Sequence, residues 1–194
     1  MSRDIEAEDV HSGQYGTLER LPDGRSVLRY TRRLAFPQQK VWRALTEDAH
    51  LAQWFPTTME GERAAGAPLH FSFREGEGEP FDGEMLAFDA PTLMELRWAD
   101  DVLRFELSAD GSGCVLNLTV TFSEHAKAAR DGAGWHVCLD RLVRSCDGAP
   151  LPWKPADRWR SVHRSYTERF GPEASALGPP EEQGRVPREG DTAQ

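Results

Sequence analysis

Residues 101–123 read DVLRFELSADGSGCVLNLTVTFS, and this segment is the most informative about the fold class. Apolar and polar residues alternate on both sides of the turn sequence Asp110-Gly111-Ser112-Gly113. Because successive side chains of a strand point to opposite faces of a sheet, this alternation predicts an antiparallel hairpin with one buried and one solvated face. The apolar positions are Leu103, Phe105, Leu107, Leu116, Leu118, Val120 and Phe122.

The same period of two continues towards the N-terminus in three further runs. Leu69–Phe73, Phe81–Ala87 and Met94–Trp98 are separated by the segments Glu75–Pro80 and Asp89–Pro91, which are rich in turn-forming residues. Together the alternating runs predict an antiparallel meander that packs on one side only.

The segments before the meander predict a hairpin and two short helices. Tyr15–Leu21 and Ser26–Phe36 flank Pro22-Asp23-Gly24, a combination that suits a tight turn. Pro37–Thr46 carries Pro at a helix start and apolar residues at helical spacing. Asp48 is the expected N-cap of a second short helix, which ends near Trp54.

Two amphipathic helices are predicted after the meander. The first is the long helix that ends at Gly148 and covers the sheet, and the second spans Pro155–Phe170. The apolar residues of the long helix are Trp135, Val137, Leu139, Leu142, Val143 and Cys146. Since strands precede helices instead of alternating with them, the fold class is α+β: a curved antiparallel sheet around a long C-terminal helix.

The domain organisation follows from length and composition. A chain of 194 residues with 39% hydrophobic residues predicts a single domain, which we place at residues 15–170. Residues 1–14 lack apolar periodicity, and residues 171–194 are rich in Gly, Pro and Glu without an aromatic residue. We therefore expect a disordered N-terminus and a disordered acidic tail.

The net charge and the cysteine content limit the classes of partner and the state of the thiols that we expect. The net charge of -9 disfavours binding to nucleic acid and to anionic membranes. We expect a cytoplasmic protein, because no run of about 20 apolar residues and no signal peptide is visible. Three cysteines without a CxxC spacing indicate packed thiols, since Cys138 and Cys146 would lie about 12 Å apart on one helix.

The sequence contains none of the common motifs of metal, nucleophilic or nucleotide-binding sites. HExxH, paired CxxC, GxSxG, GxGxxG and GxxxxGK[ST] are all absent, so we predict no metal, no cofactor and no catalytic residue. The single histidine next to the inward face of the long helix is His136, which could contact a polar ligand or a neighbouring side chain. Asp140 and Glu84 are the carboxylates to inspect for acid-base work.

Four blocks in the same order resemble a known family. Residues 37–55, PQQKVWRALTEDAHLAQWF, are similar to the opening signature of the activator of heat shock protein 90 ATPase homologue family, with Trp42, Thr46, Asp48, Trp54 and Phe55 at the matching positions. The resemblance continues through FDGEMLAFDAPTLMELRW, LRFEL and GWHVCLDRL and covers about residues 25–170. It implies the START-like, Bet v 1-like helix-grip fold, with a cavity between the sheet and the long helix.

Members of that wider superfamily bind lipids, polyketides and other apolar ligands, and some act as cyclases or hydrolases. The resemblance therefore implies a binding module for a small apolar or aromatic ligand, and the inward residues are the expected lining. Large side chains could instead fill the space as a solid core. The predicted ligand-binding residues are Trp42, Trp54, Phe71, Phe73, Met85, Trp98, Phe105, Leu118, Trp135, His136 and Leu139.

Two alternatives stay open beside ligand binding. A cyclase-like or hydrolase-like enzyme could use the same cavity, with His136 or a buried acid moving a proton. A protein-interaction domain, with Trp153 and Trp159 near its C-terminal end, is the second alternative. The resemblance corresponds to the C-terminal domain of the eukaryotic co-chaperone and not to its chaperone-binding N-terminal domain, so a chaperone interaction is the less expected partner; a homodimer also stays open.

Overall fold

The computed structural model describes residues 14–74 and 78–178 of the chain. One seven-stranded antiparallel sheet has the strand order β1-β2-β7-β6-β5-β4-β3. The predicted solvated turn at residues 75–77, most of the predicted disordered N-terminus and the end of the tail lie outside the described residues. The strands are β1 (Thr17–Arg20), β2 (Ser26–Leu34), β3 (Pro68–Phe71), β4 (Phe81–Asp89), β5 (Leu93–Trp98), β6 (Asp101–Asp110) and β7 (Gly113–Phe122).

The predicted meander and N-terminal hairpin are both present. Strands β3 to β7 pair consecutively, and β2 returns to pair with β7 from Ser26 opposite Phe122 to Leu34 opposite Cys114. From Asp101 to Leu107 on β6 and from Cys114 to Phe122 on β7, every second residue is buried, as the alternation predicted. The predicted α+β class and helix-grip architecture are therefore confirmed.

Within residues 14–74 and 78–178, four α-helices accompany the sheet. They are α1 (Gln38–Thr46), α2 (Asp48–Leu51), α3 (Ala128–Asp147) and α4 (Pro155–Phe170), with short 3-10 helices at His125–Lys127 and Glu173–Ser175. The second helix is shorter than predicted: Glu47 occupies the N-cap position, so Asp48 is already helical, and the helix ends before Trp54. No helix in the described part of the chain is long and apolar enough to cross a membrane.

The long helix α3 ends where the sequence predicted. Gly148 adopts a left-handed conformation with φ 69°, and its N–H donates to the carbonyl oxygen of Ser145 at 3.2 Å. The N–H of Ala149 donates to the carbonyl oxygen of Arg144 at 3.2 Å. Glycine suits this position because a left-handed residue with a Cβ is strained. The chain is thereby turned back so that α4 packs along α3.

The packed part of the chain extends past the predicted boundary at residue 170. Ala174 in the C-terminal 3-10 helix is fully buried, and the N–H of Leu177 donates to the carbonyl oxygen of Ala126 at 3.0 Å. The prediction of disorder for residues 171–178 is therefore wrong. Small apolar residues in this segment pack beside the start of α3, a local contact that its Gly- and Pro-rich composition concealed.

Candidate functional site

The space between α3 and the β3–β6 side of the sheet holds a continuous set of aromatic rings, here called the aromatic cluster. Ring centroids of neighbouring members lie 5.2 to 6.5 Å apart, mostly in edge or tilted arrangements. Such arrangements are the favourable ones for aromatic quadrupoles. The members are Trp54, Phe55, Phe71, Phe73, Phe81, Trp98, Phe105 and Trp135.

Trp98 connects the buried and the accessible parts of the aromatic cluster. Its ring centroid lies 5.5 Å from that of Trp135 on α3 and 5.3 Å from that of Phe81 on β4. Trp98, Phe81 and Phe73 are only partly buried, whereas Trp135 and the remaining members are buried. The indole N–H of Trp98 donates to the Thr57 hydroxyl oxygen at 3.3 Å. The cluster thus reaches from the interior to the surface.

The structure brings most of the predicted lining residues together. Six of them belong to the aromatic cluster: Trp54, Phe71, Phe73, Trp98, Phe105 and Trp135. Met85, Leu118 and Leu139 are fully buried in the same core. Trp42 instead packs against Phe88, with centroids 5.3 Å apart, and His136 lies elsewhere.

Two members of the aromatic cluster, Phe55 and Phe81, were missed as lining residues. Phe55 follows Trp54 directly, where a helix is predicted to end, while Phe81 shares the alternation of β4 with Met85. That alternation was the signal available for Phe81. The predicted ligand-binding role of all these residues stays a prediction.

The predicted open cavity also stays a prediction. Aromatic rings contact one another across the space where the cavity was expected. A depression of about 430 Å³ lies on the opposite, outer face of the sheet, between the ends of β4 to β7. Its lining residues are Asp89, Thr92, Leu93, Glu106, Leu107, Ser108 and Asn117.

His136 belongs to a second feature, the buried polar cluster, which consists of Arg32, His136, Asp140, Arg158 and Tyr166. The Nδ1 atom of His136 lies 3.2 Å from the Tyr166 hydroxyl oxygen, and its Nε2 atom lies 3.4 Å from Nη2 of Arg158. Arg158 donates through Nε and Nη2 to Oδ2 of Asp140, at 3.0 and 2.8 Å. The cluster joins β2, α3 and α4.

The electrostatics of this cluster keep the imidazole neutral. Burial, together with the positive charges of Arg32 and Arg158, lowers the pKa of His136 to about 3. Because the ring is completely buried and contacts protein groups, it is not placed to exchange protons with a substrate. Asp140 is held in an ion pair with Arg158, and the other candidate acid, Glu84, is paired with Arg97. Neither is an isolated general acid.

A serine and a histidine that the sequence analysis did not connect lie close together. The Ser26 hydroxyl oxygen is 2.8 Å from Nδ1 of His125. Ser26 is fully buried at the start of β2, so a substrate carbonyl cannot reach its oxygen. Among the described residues, no group of three His, Cys, Asp or Glu side chains is arranged to hold a metal ion.

The chain matches one known protein family over a long continuous region. The family "Activator of Hsp90 ATPase homolog 1-like protein" matches residues 35–146, more than half of the chain. The chain belongs to this family. The matched region runs from the start of α1 to the last turn of α3 and so includes every member of the aromatic cluster. None of the curated proteins compared with the chain matches it.

Solved structures of low sequence identity share the fold. EF2215 from Enterococcus faecalis, a conserved protein of unknown function, is 20% identical with a TM-score of 0.66, over 80% of this chain and 90% of that one. CalU16 from Micromonospora echinospora is 21% identical with a TM-score of 0.64, over 80% and 98%. A protein encoded by BPP1335 of Bordetella parapertussis is 22% identical with a TM-score of 0.63, over 81% and 91%.

Proposed function

We propose that this family member binds a small apolar or aromatic molecule, which inserts into the aromatic cluster from its partly exposed edge. The observation that carries the proposal is the continuity of the cluster from the buried Trp135 to the partly buried Trp98, Phe81 and Phe73. A planar ligand that enters at this edge can replace ring contacts with similar ring contacts. The energetic cost of opening the cluster is thereby reduced.

The polar content of this edge also suits a largely apolar ligand. Trp98 presents an indole N–H whose present acceptor, the Thr57 hydroxyl, lies at a long 3.3 Å. A single donor beside several aromatic faces is the usual composition of a small-molecule site: mostly apolar, with few polar groups that set orientation. A ligand with one acceptor oxygen could displace the Thr57 hydroxyl.

The other hypotheses have less support. A cyclase-like or hydrolase-like reaction would need an accessible proton-transfer group, and His136 is enclosed by protein groups. A protein-interaction surface would need a broad apolar patch. Leu151 is the one large apolar side chain that is exposed, at 36%, among residues 14–74 and 78–178. A cytoplasmic location stays a prediction, in keeping with the free Cys114, Cys138 and Cys146.

The test compares two phenylalanines on the same strand. Phe81 and Phe88 are both partly buried on β4, but only Phe81 belongs to the aromatic cluster. We expect 1-naphthol to bind the wild-type protein saturably in isothermal titration calorimetry. Phe81→Leu should weaken binding roughly tenfold, which corresponds to about 1.4 kcal/mol, and Phe88→Leu should leave it unchanged. Equal affinities of the two variants, or no binding to the wild type, would overturn the proposal.

A further inference from the structure

Arg32 is a buried cation on the face of the sheet that the helices cover. It lies opposite Leu116 of β7 in the strand register, and its relative exposure is 4%. Its Nη1 atom donates to the carbonyl oxygens of Gln14 at 2.7 Å and Thr31 at 3.2 Å. Its Nε and Nη2 atoms are buried and have no hydrogen-bond partner. Buried donors are rarely left unsatisfied, and a charged donor is the costliest to leave so.

The two unsatisfied atoms form one recognition edge. The N–H groups of Nε and Nη2 lie side by side on a guanidinium, and together they fit the two oxygens of a carboxylate. The same edge of Arg158, within the same buried polar cluster, is occupied by the Asp140 carboxylate at 3.0 and 2.8 Å. The fork of Arg158 is therefore paired with a carboxylate, and the same two atoms of Arg32 have no hydrogen-bond partner.

The charges of the cluster residues indicate which ligand charge would suit the Arg32 fork. Arg32 and Arg158 contribute two positive charges against the single negative charge of Asp140, and His136 is neutral. The nearby Asp131 is paired with Lys127 and Arg130. Among the five residues of the cluster, the positive charges therefore exceed the negative charges, which favours an anionic ligand.

A short segment covers this cluster. The Gln14 carbonyl accepts from Arg32, the N–H of Gly16 donates to the Tyr166 hydroxyl oxygen at 2.7 Å, and the Tyr15 ring lies 5.1 Å from the His136 ring. Gly16 lies so close to Tyr30 that an added Cβ would fall 2.5 Å from its ring. We call Gln14–Gly16 the cover segment, because its displacement would expose the polar cluster.

We propose that the Nε–Nη2 edge of Arg32 is a binding site for a small monocarboxylate, which enters where the cover segment lies against β2 and α4. The carboxylate oxygens accept from the two free N–H groups, and the ligand supplies the missing negative charge. Inorganic phosphate can also accept from an arginine fork, but it is tetrahedral and is partly a dianion at neutral pH, whereas a carboxylate is planar like the fork and is a monoanion. The site is on the β2 side of the sheet, separate from the aromatic cluster.

The first measurement uses the wild-type protein and acetate. Acetate is titrated in a bulky sulfonate buffer at constant ionic strength and pH 7, while the side-chain Nε–H resonances of arginine are recorded by NMR. We expect one arginine resonance to shift saturably, and to be absent from the spectrum of Arg32→Lys. Acetamide, the neutral analogue, should cause no shift. The absence of a saturable shift would mean that water alone satisfies Arg32 and would overturn the proposal.

Matched variants localise the binding. Arg32→Met should weaken acetate binding at least tenfold in calorimetry, and Arg32→Lys should also weaken it because lysine keeps the charge but lacks the fork. Arg33→Met is the control, since Arg33 is the next residue of β2, with a side chain 77% exposed and paired to Asp110. Equal binding by Arg32→Met and Arg33→Met would overturn the site, and phosphate binding as tightly as acetate would overturn the monocarboxylate assignment.

Discussion

The aromatic cluster and the buried polar cluster lie towards opposite ends of the strand order, on the same helix-covered face of the sheet, and are stabilised by opposite means. Around Trp98 the contacts are between rings, which pack without desolvating charge. Around Arg32 and His136 the contacts are hydrogen bonds and ion pairs whose benefit must offset the cost of burying charged groups. Truncation of a ring should therefore be costly on the aromatic side, whereas removal of the Arg32 charge, which has no hydrogen bond to a carboxylate, should cost little on the polar side.

The largest expected effect is the loss of a buried ring from the aromatic cluster. Trp54 is fully buried, and its indole N–H donates to the Ala44 carbonyl oxygen at 2.8 Å. Trp54→Ala should lower the free energy of unfolding by about 3–5 kcal/mol in urea titrations, because it leaves a cavity and an unpaired carbonyl. Trp153→Ala, in the partly exposed loop before α4, should cost much less. Similar losses for both variants would contradict a closely packed cluster.

A pH dependence of intermediate size should come from the polar cluster. The charged and titratable groups facing His136 are Arg32, Arg158, Asp140, Tyr166 and Tyr15. The pKa of His136 is lowered to about 3 in the folded protein, and a histidine has a pKa of about 6.5 in an unfolded chain. Between these two values the unfolded state binds the extra proton, so stability falls as the pH falls from about 6.5 towards 3.

The corresponding variant is His136→Gln, measured by urea denaturation at pH 7 and pH 5. At pH 5 the wild type should lose about 2 kcal/mol through this residue, since 1.5 pH units below the unfolded pKa correspond to about 1.36 kcal/mol each. The variant should lack that part of the loss. His50→Gln, on the surface helix α2, serves as the control for a general effect of removing a histidine. An unchanged pH dependence in His136→Gln would show that the ring is already accessible to protons.

The smallest effect is expected for Arg32. Arg32 donates only to backbone carbonyl oxygens, so an apolar side chain of similar length would remove the cost of burying its charge and leave no carboxylate unpaired. Arg32→Met should therefore change the free energy of unfolding by no more than about 1 kcal/mol, or raise it, despite losing the bond to Gln14. Thermal denaturation beside Arg33→Met gives the measurement. A loss of several kcal/mol would show that Arg32 is a structural element of the core instead.

The sequence predicted the aromatic side of the molecule better than the polar side for a physical reason. Strand alternation is a local pattern, so the buried face of a strand can be predicted without knowing which strands lie beside it. This holds for Leu103 to Leu107 on β6 and for Leu116 to Phe122 on β7. The same alternation in β2, counted from Leu28 and Tyr30, places Arg32 on the buried face. An arginine at an apolar position was the available signal for the polar cluster.

The other members of the buried polar cluster could not be predicted in the same way. His136 and Asp140 lie on α3 and Arg158 on α4, more than one hundred residues away in the chain, so their meeting depends on helix packing and not on any local pattern. Residues 171–178 show that a local pattern can also predict disorder where the folded domain creates order. Their composition suggested disorder, whereas Ala174 packs in the core through contacts that only the folded domain creates.

The most direct test of ligand binding at the aromatic cluster is an NMR titration with 1-naphthol that follows the indole N–H resonance of Trp98. This group lies at the junction between the buried and accessible rings, and its present acceptor is the Thr57 hydroxyl. The account predicts a saturable shift of this resonance, and no shift for the backbone amides of Ser108 and Asn117 at the outer depression. An unmoved Trp98 resonance, or shifts confined to Ser108 and Asn117, would contradict it.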